Sequence, residues 1–305
     1  MALRILFFLI TLAGTIPAAH ACDICGCAAR NAIMGIFPQF HSNMIGIRGQ
    51  YRSSIHPRTA LNQNGESQVY EDRFYTQELW LRYYPGKRWQ FFGFIPYHLN
   101  QRVESIRTTT IHGIGDVYGS MNYTLWNTGE QADKRWKNTW IAGLGLRLPT
   151  GKYQQRDETK LMLPVGLQAG TGAYSFLFQT NYTTRLDKVG LNANVQYWMN
   201  TKNELDLTLG NQFTGSLTAF YWYQRGSLVL LPYTGATVEI QEQDVEFEQL
   251  KAHTGGEAIQ GSLGIDLYYK RMLFQALYQS PLWQNKSVSQ PREGYRLSVG
   301  AALFF

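Results

Sequence analysis

The sequence predicts an all-β fold: a transmembrane antiparallel up-and-down β-barrel of about twelve strands, with ten or fourteen reached by slipping one strand pair. Three observations predict it. The first is the stretch from Gly294 to Phe305, in which Tyr295, Leu297, Val299, Ala301, Leu303 and Phe305 share one face and Arg296, Ser298, Gly300, Ala302 and Phe304 the other. A period of two marks a strand, and an aromatic last residue suits a strand that closes a barrel between an aromatic girdle and lipid. The second is composition: 14% of residues are aromatic and only 16% charged, where average chains carry about 25% charge. Lipid-facing positions exclude charge, and the interfacial belts take Tyr, Trp and Phe. The third is that alternating segments recur along the chain with long and short connections between them.

The N-terminus reads as a signal peptide over residues 1–21. Arg4 precedes the apolar run Ile5 to Ile16, and Ala19-His20-Ala21 supplies the small-x-small cleavage pattern. A transmembrane helix needs about 18 to 25 apolar residues, and this run is shorter. The net charge of +6 falls to +5 without Arg4. The remaining charge is scattered, with no basic stripe for nucleic acid. Residues 22–42 form a Cys-rich segment whose later part, 28–42, reads as a plug or an extended lead-in, and residues 43–305 form the barrel.

Strand one, 43–53, sets Ile45, Ile47 and Tyr51 against Arg48, Gln50 and Arg52. A polar loop with Pro57 and Asn64-Gly65 follows. Strand two, 73–84, sets Leu79, Leu81 and Tyr83 against Glu78 and Arg82, and Pro85-Gly86-Lys87-Arg88 turns the chain. Strand three, 89–100, is the least regular, since Phe92 and Phe94 accompany Phe91 and Ile95, and Pro96 interrupts the ladder. Strand four, 114–126, alternates cleanly between Val117, Gly119, Met121, Tyr123 and Leu125 and the inward set Asp116, Ser120, Asn122 and Thr124. Strand five, 139–148, turns Trp140, Ala142, Leu144, Leu146 and Leu148 to lipid and leads into a long loop ending at Gly172. Strands six (174–184) and seven (189–200) meet at Asp187-Lys188. Strand eight runs over 204–221 and strand nine over 227–240. The acidic stretch from Glu239 to Glu248 reads as a solvated outer loop. Strands ten (258–269) and eleven (273–280) meet at Lys270-Arg271, and strand twelve closes the chain.

Long connections follow strands one, three, five, nine and eleven. Short ones follow two, six, eight and ten. Bacterial outer-membrane barrels have long external loops and short periplasmic turns, so the location predicted is the cell outer membrane. The expected partners are its lipid, the barrel-assembly machinery acting through the C-terminal strand, and a small solute. A soluble periplasmic β-sandwich is the alternative fold, but it has no use for an apolar face on nearly every strand.

Three groups of residues can carry chemistry. Cys22, Cys25 and Cys27 hold every cysteine of the chain within six residues. Three thiolates on a short loop suit Cu(I) or Zn(II), an oxidising compartment suits a disulfide with one thiol left over, and Cys22 can also be a lipid anchor. Arg48, Arg52, Glu78 and Arg82 face inward on strands one and two, where charged side chains select the solute that passes or fill the lumen as ion pairs. In His112-Gly113-Ile114-Gly115-Asp116, even spacing puts His112 and Asp116 on one side at the rim, as a ligand pair or as the mark of a sharp turn into the strand. No Gly-x-Ser-x-Gly is present, and histidines 41, 56, 98, 112 and 253 are dispersed, so no catalytic set is read from the sequence.

The segment GIGDVYGSMNYTLW at 113–126, followed by IAGLGLRLPTGKY at 141–153, resembles the paired Gly-x-Gly-Asp strand and Leu-Pro-Thr-Gly loop of outer-membrane barrels of the phenol meta-cleavage pathway type. These are transporters distantly related to channels for fatty acids and aromatic hydrocarbons. CDICGC, then IMGIFPQF and a first strand ending in YRS, is similar to a subgroup with a Cys-rich mature N-terminus. The resemblance implies a non-enzymatic channel or transporter for a small solute, including a hydrophobic one. It also implies that Gly115 and Asp116 shape strand four, while Pro149, Thr150 and Gly151 start the loop after strand five. Soft-metal binding or uptake through the cysteines is the leading alternative, and a structural barrel or an outer-membrane enzyme the next.

Overall fold

The computed structural model describes residues 42–61, 67–104, 107–129, 135–156, 162–252, 254–286 and 290–305. The predicted signal peptide, the cysteine cluster and all but the last residue of the predicted plug lie outside them. Twelve antiparallel strands close into a barrel. They are β1 (Met44–Leu61), β2 (Ser67–Tyr83), β3 (Trp89–Val103), β4 in two segments (Thr108–Ile114 and Tyr118–Asn127), β5 (Trp136–Arg147), β6 (Ser175–Leu186), β7 (Val189–Asn200), β8 (Gln212–Tyr221, extended by Tyr223–Arg225), β9 (Leu228–Gln241), β10 (Gly256–Tyr269), β11 (Met272–Asn285) and β12 (Arg292–Phe304). Each pairs with its neighbour in the chain, and β12 returns to β1 in a register running from Met44↔Phe304 to Ile55↔Arg292. The barrel sheet has no open edge, which is the condition for strands to cross a bilayer.

The alternation read from the sequence sorts the two faces. Ile47 and Val299 are 65% and 62% exposed, while inward Gln260 and Asp266 are fully buried. Large apolar side chains on an outer surface would be unfavourable in water and are matched to hydrocarbon. Two aromatic belts bound this surface. Toward the loop end Tyr75, Tyr51, Tyr295 and Tyr278 form a row across β2, β1, β12 and β11, with successive ring centroids 5.1, 5.4 and 6.2 Å apart. At the short-turn end Trp89 packs edge-on against Tyr123 at 4.8 Å, and Arg88 donates to the Tyr123 hydroxyl at 3.1 Å.

Several boundaries differ from the sequence reading. β1 continues through Pro57 to Leu61, with a register shift against β2 between His56 and Ala60. The proline removes one donor, and the shift absorbs it. Residues 201–211 are an outer loop rather than the start of strand eight, because Leu207–Thr208 pairs with Val245–Glu246, which pairs in turn with Gln249–Leu250. That small sheet ties two outer loops together. In β3 the irregularity has a simple cause: Phe91 and Ile95 face lipid, while Phe92 and Phe94 are buried on the inner face. Both faces are apolar there, so no alternation in hydropathy is visible.

The break in β4 has a physical origin on β3. Tyr97 pairs with Ile114 and Phe94 with Tyr118, so Ile95 and Pro96 stand opposite Gly115, Asp116 and Val117. Pro96 has no N–H to give, and its carbonyl accepts from Gly115 N at 2.8 Å. One extra residue on β4 reverses the alternation. His112 and Ile114 therefore point outward, whereas Asp116, Tyr118 and Ser120 point inward.

Candidate functional site: the barrel lumen

The inner face has two parts. At the short-turn end Met44, Trp80, Phe92, Leu231, Tyr268 and Leu273 belong to one apolar cluster, with Leu231 and Leu273 fully buried. Glycines make room for the rings. A Cβ on Gly190 would stand 2.2 Å from the Phe220 ring, and one on Gly264 would stand 2.2 Å from that of Tyr233.

The other part is polar and largely ion-paired. Arg48 pairs with Glu78, whose second oxygen accepts from the Tyr118 hydroxyl at 2.7 Å. Arg147 lies over the Trp198 ring at 4.1 Å. On the far side Arg296 forks onto Glu239 at 2.6 and 2.8 Å and also bonds Glu293. Glu293 takes Lys286 at 3.1 Å and Gln260 at 3.1 Å as well. Nearer the loop end Asp72 receives a bidentate pair from Arg102, both at 2.8 Å, and meets His56 Nε2 at 2.8 Å. Two-pronged guanidinium–carboxylate contacts hold both partners in one orientation. Between these groups the amides of β6 and β7 bond to polar neighbours: Gln179 donates to the Asn122 amide oxygen on β4 at 2.6 Å, and Asn192 donates to the Thr183 hydroxyl at 2.7 Å.

The described parts of the long loop after β5, residues 148–156 and 162–174, fold back into the mouth. Leu167 packs against inward Phe74 and Ile111, and Asn100 donates to the Leu167 carbonyl at 2.8 Å. Asp116 holds the loop's two ends. Its Oδ1 accepts from Gly151 N at 2.9 Å, and its Oδ2 accepts from Thr171 N at 2.8 Å and from the Thr171 hydroxyl at 2.7 Å. Thr150 adds a bond to the Gly115 carbonyl at 3.0 Å. Gly151 and Gly170 touch backbone to backbone, so a Cβ on Gly170 would lie 2.2 Å from the Gly151 carbonyl oxygen. The Gly-x-Gly-Asp and Leu-Pro-Thr-Gly motifs are thus two halves of one clamp. Inside the loop Gln168 bridges Gln155 and Leu163 through bonds of 2.9 to 3.0 Å.

A cavity of about 70 Å³ lies in the polar part, walled by β1, β8, β9, β11 and β12. Arg48, Arg52 and Arg296 reach it, with Glu239, Gln279 and Thr214. Of the predicted lumen residues, Arg48 and Arg52 line this cavity and Glu78 stands behind Arg48. Arg82 lies apart at the short-turn end, donating to the Ser42 carbonyl at 3.1 and 3.3 Å beside the rings of Tyr84 and Phe304. Asp116 belongs to the loop clamp. His112 does not share its side: it is on the outer surface, 3.2 Å from the Tyr97 hydroxyl, because of the extra residue at the β4 break.

Sequence reasoning missed Glu239, Glu293 and Asp72. The acidic stretch from Glu239 reads as a solvated loop, yet Glu239 is buried in the lumen; its place between outward Val238 and Ile240 is the available signal. Asp244, in the same acidic stretch, is buried beneath the outer loops, where it accepts from Gly210 N at 2.8 Å. Burial pushes its carboxyl up to about 6. Among the described residues no group of three or more His, Cys, Asp or Glu side chains could hold a metal ion. Cys22, Cys25 and Cys27 are not among them.

The family described as "Putative MetA-pathway of phenol degradation" matches residues 51–246, more than half of the chain. The chain belongs to this family. It is an outer-membrane β-barrel, and the matched span includes both halves of the loop clamp. The Cys-rich stretch that carries the subgroup resemblance lies outside the match. No curated protein matches the sequence. Among solved structures, an outer membrane channel from Pseudomonas putida F1 superposes with a TM-score of 0.62 at 14% identity, over 87% of this chain and 96% of that one. The beta domain of the Bordetella autotransporter Brka gives 0.49 at 12% identity, over 87% and 100%. At 14% identity the likeness to the Pseudomonas channel is one of fold alone.

Proposed function

We propose that this outer-membrane barrel is a channel for a small solute bearing polar groups, which passes through the ion-paired part of the lumen under the loop over 148–174. The observation that carries the reading is the Asp116 clamp. A barrel that served only as a scaffold has no need of a long outer loop folded into its mouth and fastened at both ends by one buried carboxylate. A loop held there narrows the opening and sets what enters. The lining of Arg, Glu, Gln and Asn suits a hydrogen-bonding solute better than a hydrocarbon, because an apolar molecule would strip water from these groups without replacing it.

Conductance across a planar bilayer tests this. The purified full-length barrel is expected to give discrete current steps. Asp116→Ala removes the acceptor for three buried donors and frees the loop, so larger or more frequent openings are expected. Asp116→Asn keeps one acceptor oxygen and should fall between. Absence of steps from barrel that is demonstrably folded and inserted, in both wild type and Asp116→Ala, would overturn the channel reading.

A further inference from the structure

We infer that the cavity between β1, β9, β11 and β12 is a binding site for a small organic carboxylate, centred on Arg296 and Gln279. This rests on the channel reading for its purpose, since it names the class of solute, but its geometry stands independently.

The wall turned to the cavity is rich in donors. It presents the guanidinium groups of Arg48, Arg52 and Arg296 and a single carboxylate, Glu239. The other acids nearby are turned elsewhere. Glu78 is bound by Arg48 and Tyr118. Glu293 is bound by Arg296, Lys286 and Gln260. Asp266 is on β10, facing Tyr233 and Gln275. Gln50, Thr214, Thr237 and Ser298 complete the lining with neutral hydrogen-bonding groups.

Two buried donors in this wall have no partner among the described residues: Arg296 Nε and Gln279 Nε2. Gln279 is 5% exposed. A buried N–H left without an acceptor is costly, and such groups in a native fold call for an explanation. The residues that carry them, Arg296 and Gln279, both line the same cavity. A ligand with two acceptor oxygens in one plane would satisfy them together, and a carboxylate has that shape and the matching charge. Glu239, itself in the lining, and Glu293 fix the Arg296 fork, so its orientation does not depend on the ligand. The cavity, of about 70 Å³, has room for an occupant of a few heavy atoms.

The test compares propionate with propionamide, which match in size and differ in charge, by isothermal titration of the full-length barrel in detergent. Propionate should bind saturably and propionamide at least tenfold more weakly. Gln279→Leu removes one lone donor and leaves no charge unpaired, and it should weaken propionate by about tenfold, the scale of one hydrogen bond to a charged group. Equal binding of the two probes, no binding of either, or an unchanged Gln279→Leu variant would overturn the site. Bilayer conductance on the same preparation separates the two readings. Current steps without propionate binding would sink the carboxylate site and leave the channel. Selective propionate binding without current would keep the site and remove the channel.

Discussion

The two parts of the lumen solve the same packing problem with different chemistry. At the short-turn end Leu231, Leu273, Trp80 and Tyr268 pack into one apolar cluster on the inner face. Toward the loop end Arg296, Glu239, Glu293, Asp72 and Arg102 fill the space with matched charges. The apolar part asks only for volume and shape, and its energy comes from area removed from water. The ion-paired part gains less net energy, since each charge gives up its hydration to be there. What it gains is orientation: the guanidinium groups of Arg48, Arg102 and Arg296 each point at a defined carboxylate. A channel can use both, one part as a rigid base and the other as a surface that recognises what passes.

The contrast predicts the largest effect at the apolar end. Leu273→Asp places a charge among Leu231, Tyr268 and Ala302 with no partner. It should cost more than about 4 kcal/mol, the scale of an unpaired buried charge, and is expected to prevent recovery of folded barrel. Leu273→Ala should cost about 2 to 5 kcal/mol as a cavity and still fold. Urea titration in lipid vesicles, followed by tryptophan fluorescence, reads both. If Leu273→Asp were as stable as Leu273→Ala, the short-turn end would be wet rather than packed.

The ion-paired part should behave differently under deletion. Glu239→Leu leaves Arg296 with Glu293 as its remaining carboxylate and removes a bidentate contact, with an expected cost of about 3 to 5 kcal/mol for breaking a buried pair. Replacing both partners, Glu239→Leu with Arg296→Met, should recover much of that loss, because no charge is then stranded. A double-mutant cycle in the same urea titration measures the difference. Strict additivity would mean that the two groups do not interact as drawn.

The lipid-facing wall was legible in the sequence for a reason these two parts make clear. Lipid imposes one rule on every outward position, so Ile45, Ile47, Leu79, Leu81, Val299 and Leu303 repeat at a period of two, and the twelve strands follow from it. The inner face obeys no single rule. In β3 inward Phe92 and Phe94 hide the alternation, and in β4 one extra residue opposite Pro96 moves His112 to the outside. Partners across the lumen, such as Arg296 and Glu239, are 57 residues apart in the chain, and a local pattern does not pair them. Arg48 with Glu78 was readable only because β1 and β2 are neighbours. The Asp116 clamp was half visible: its motifs marked a shaped strand and a loop start, but the bond from Thr171, 55 residues on, carries no local signal.

The smallest expected effect lies outside the membrane, and it extends the comparison to a buried charge with no counter-ion in contact. Asp244 accepts from Gly210 N at 2.8 Å, while its own N–H donates to the Thr254 hydroxyl at 2.7 Å. Burial raises its carboxyl from 3.8 to about 6, opposed in part by the Gly210 bond and by Lys251. A raised acid binds its proton more tightly in the folded loop than in the open one. Its contribution is therefore complete below the ordinary value and is lost as pH rises through about 6. A shift of this size corresponds to about 3 kcal/mol at most, confined to the small sheet that joins 201–211 to 242–255. Amide hydrogen exchange across these two loops should show protection falling between about pH 4 and pH 6 after correction for intrinsic rates, with the strands unchanged. Asp244→Asn, which is neutral throughout, should hold the protection flat over that range. A variant that still loosened as pH rose would move the titrating group elsewhere, and the two loops would then be held by their backbone pairing alone.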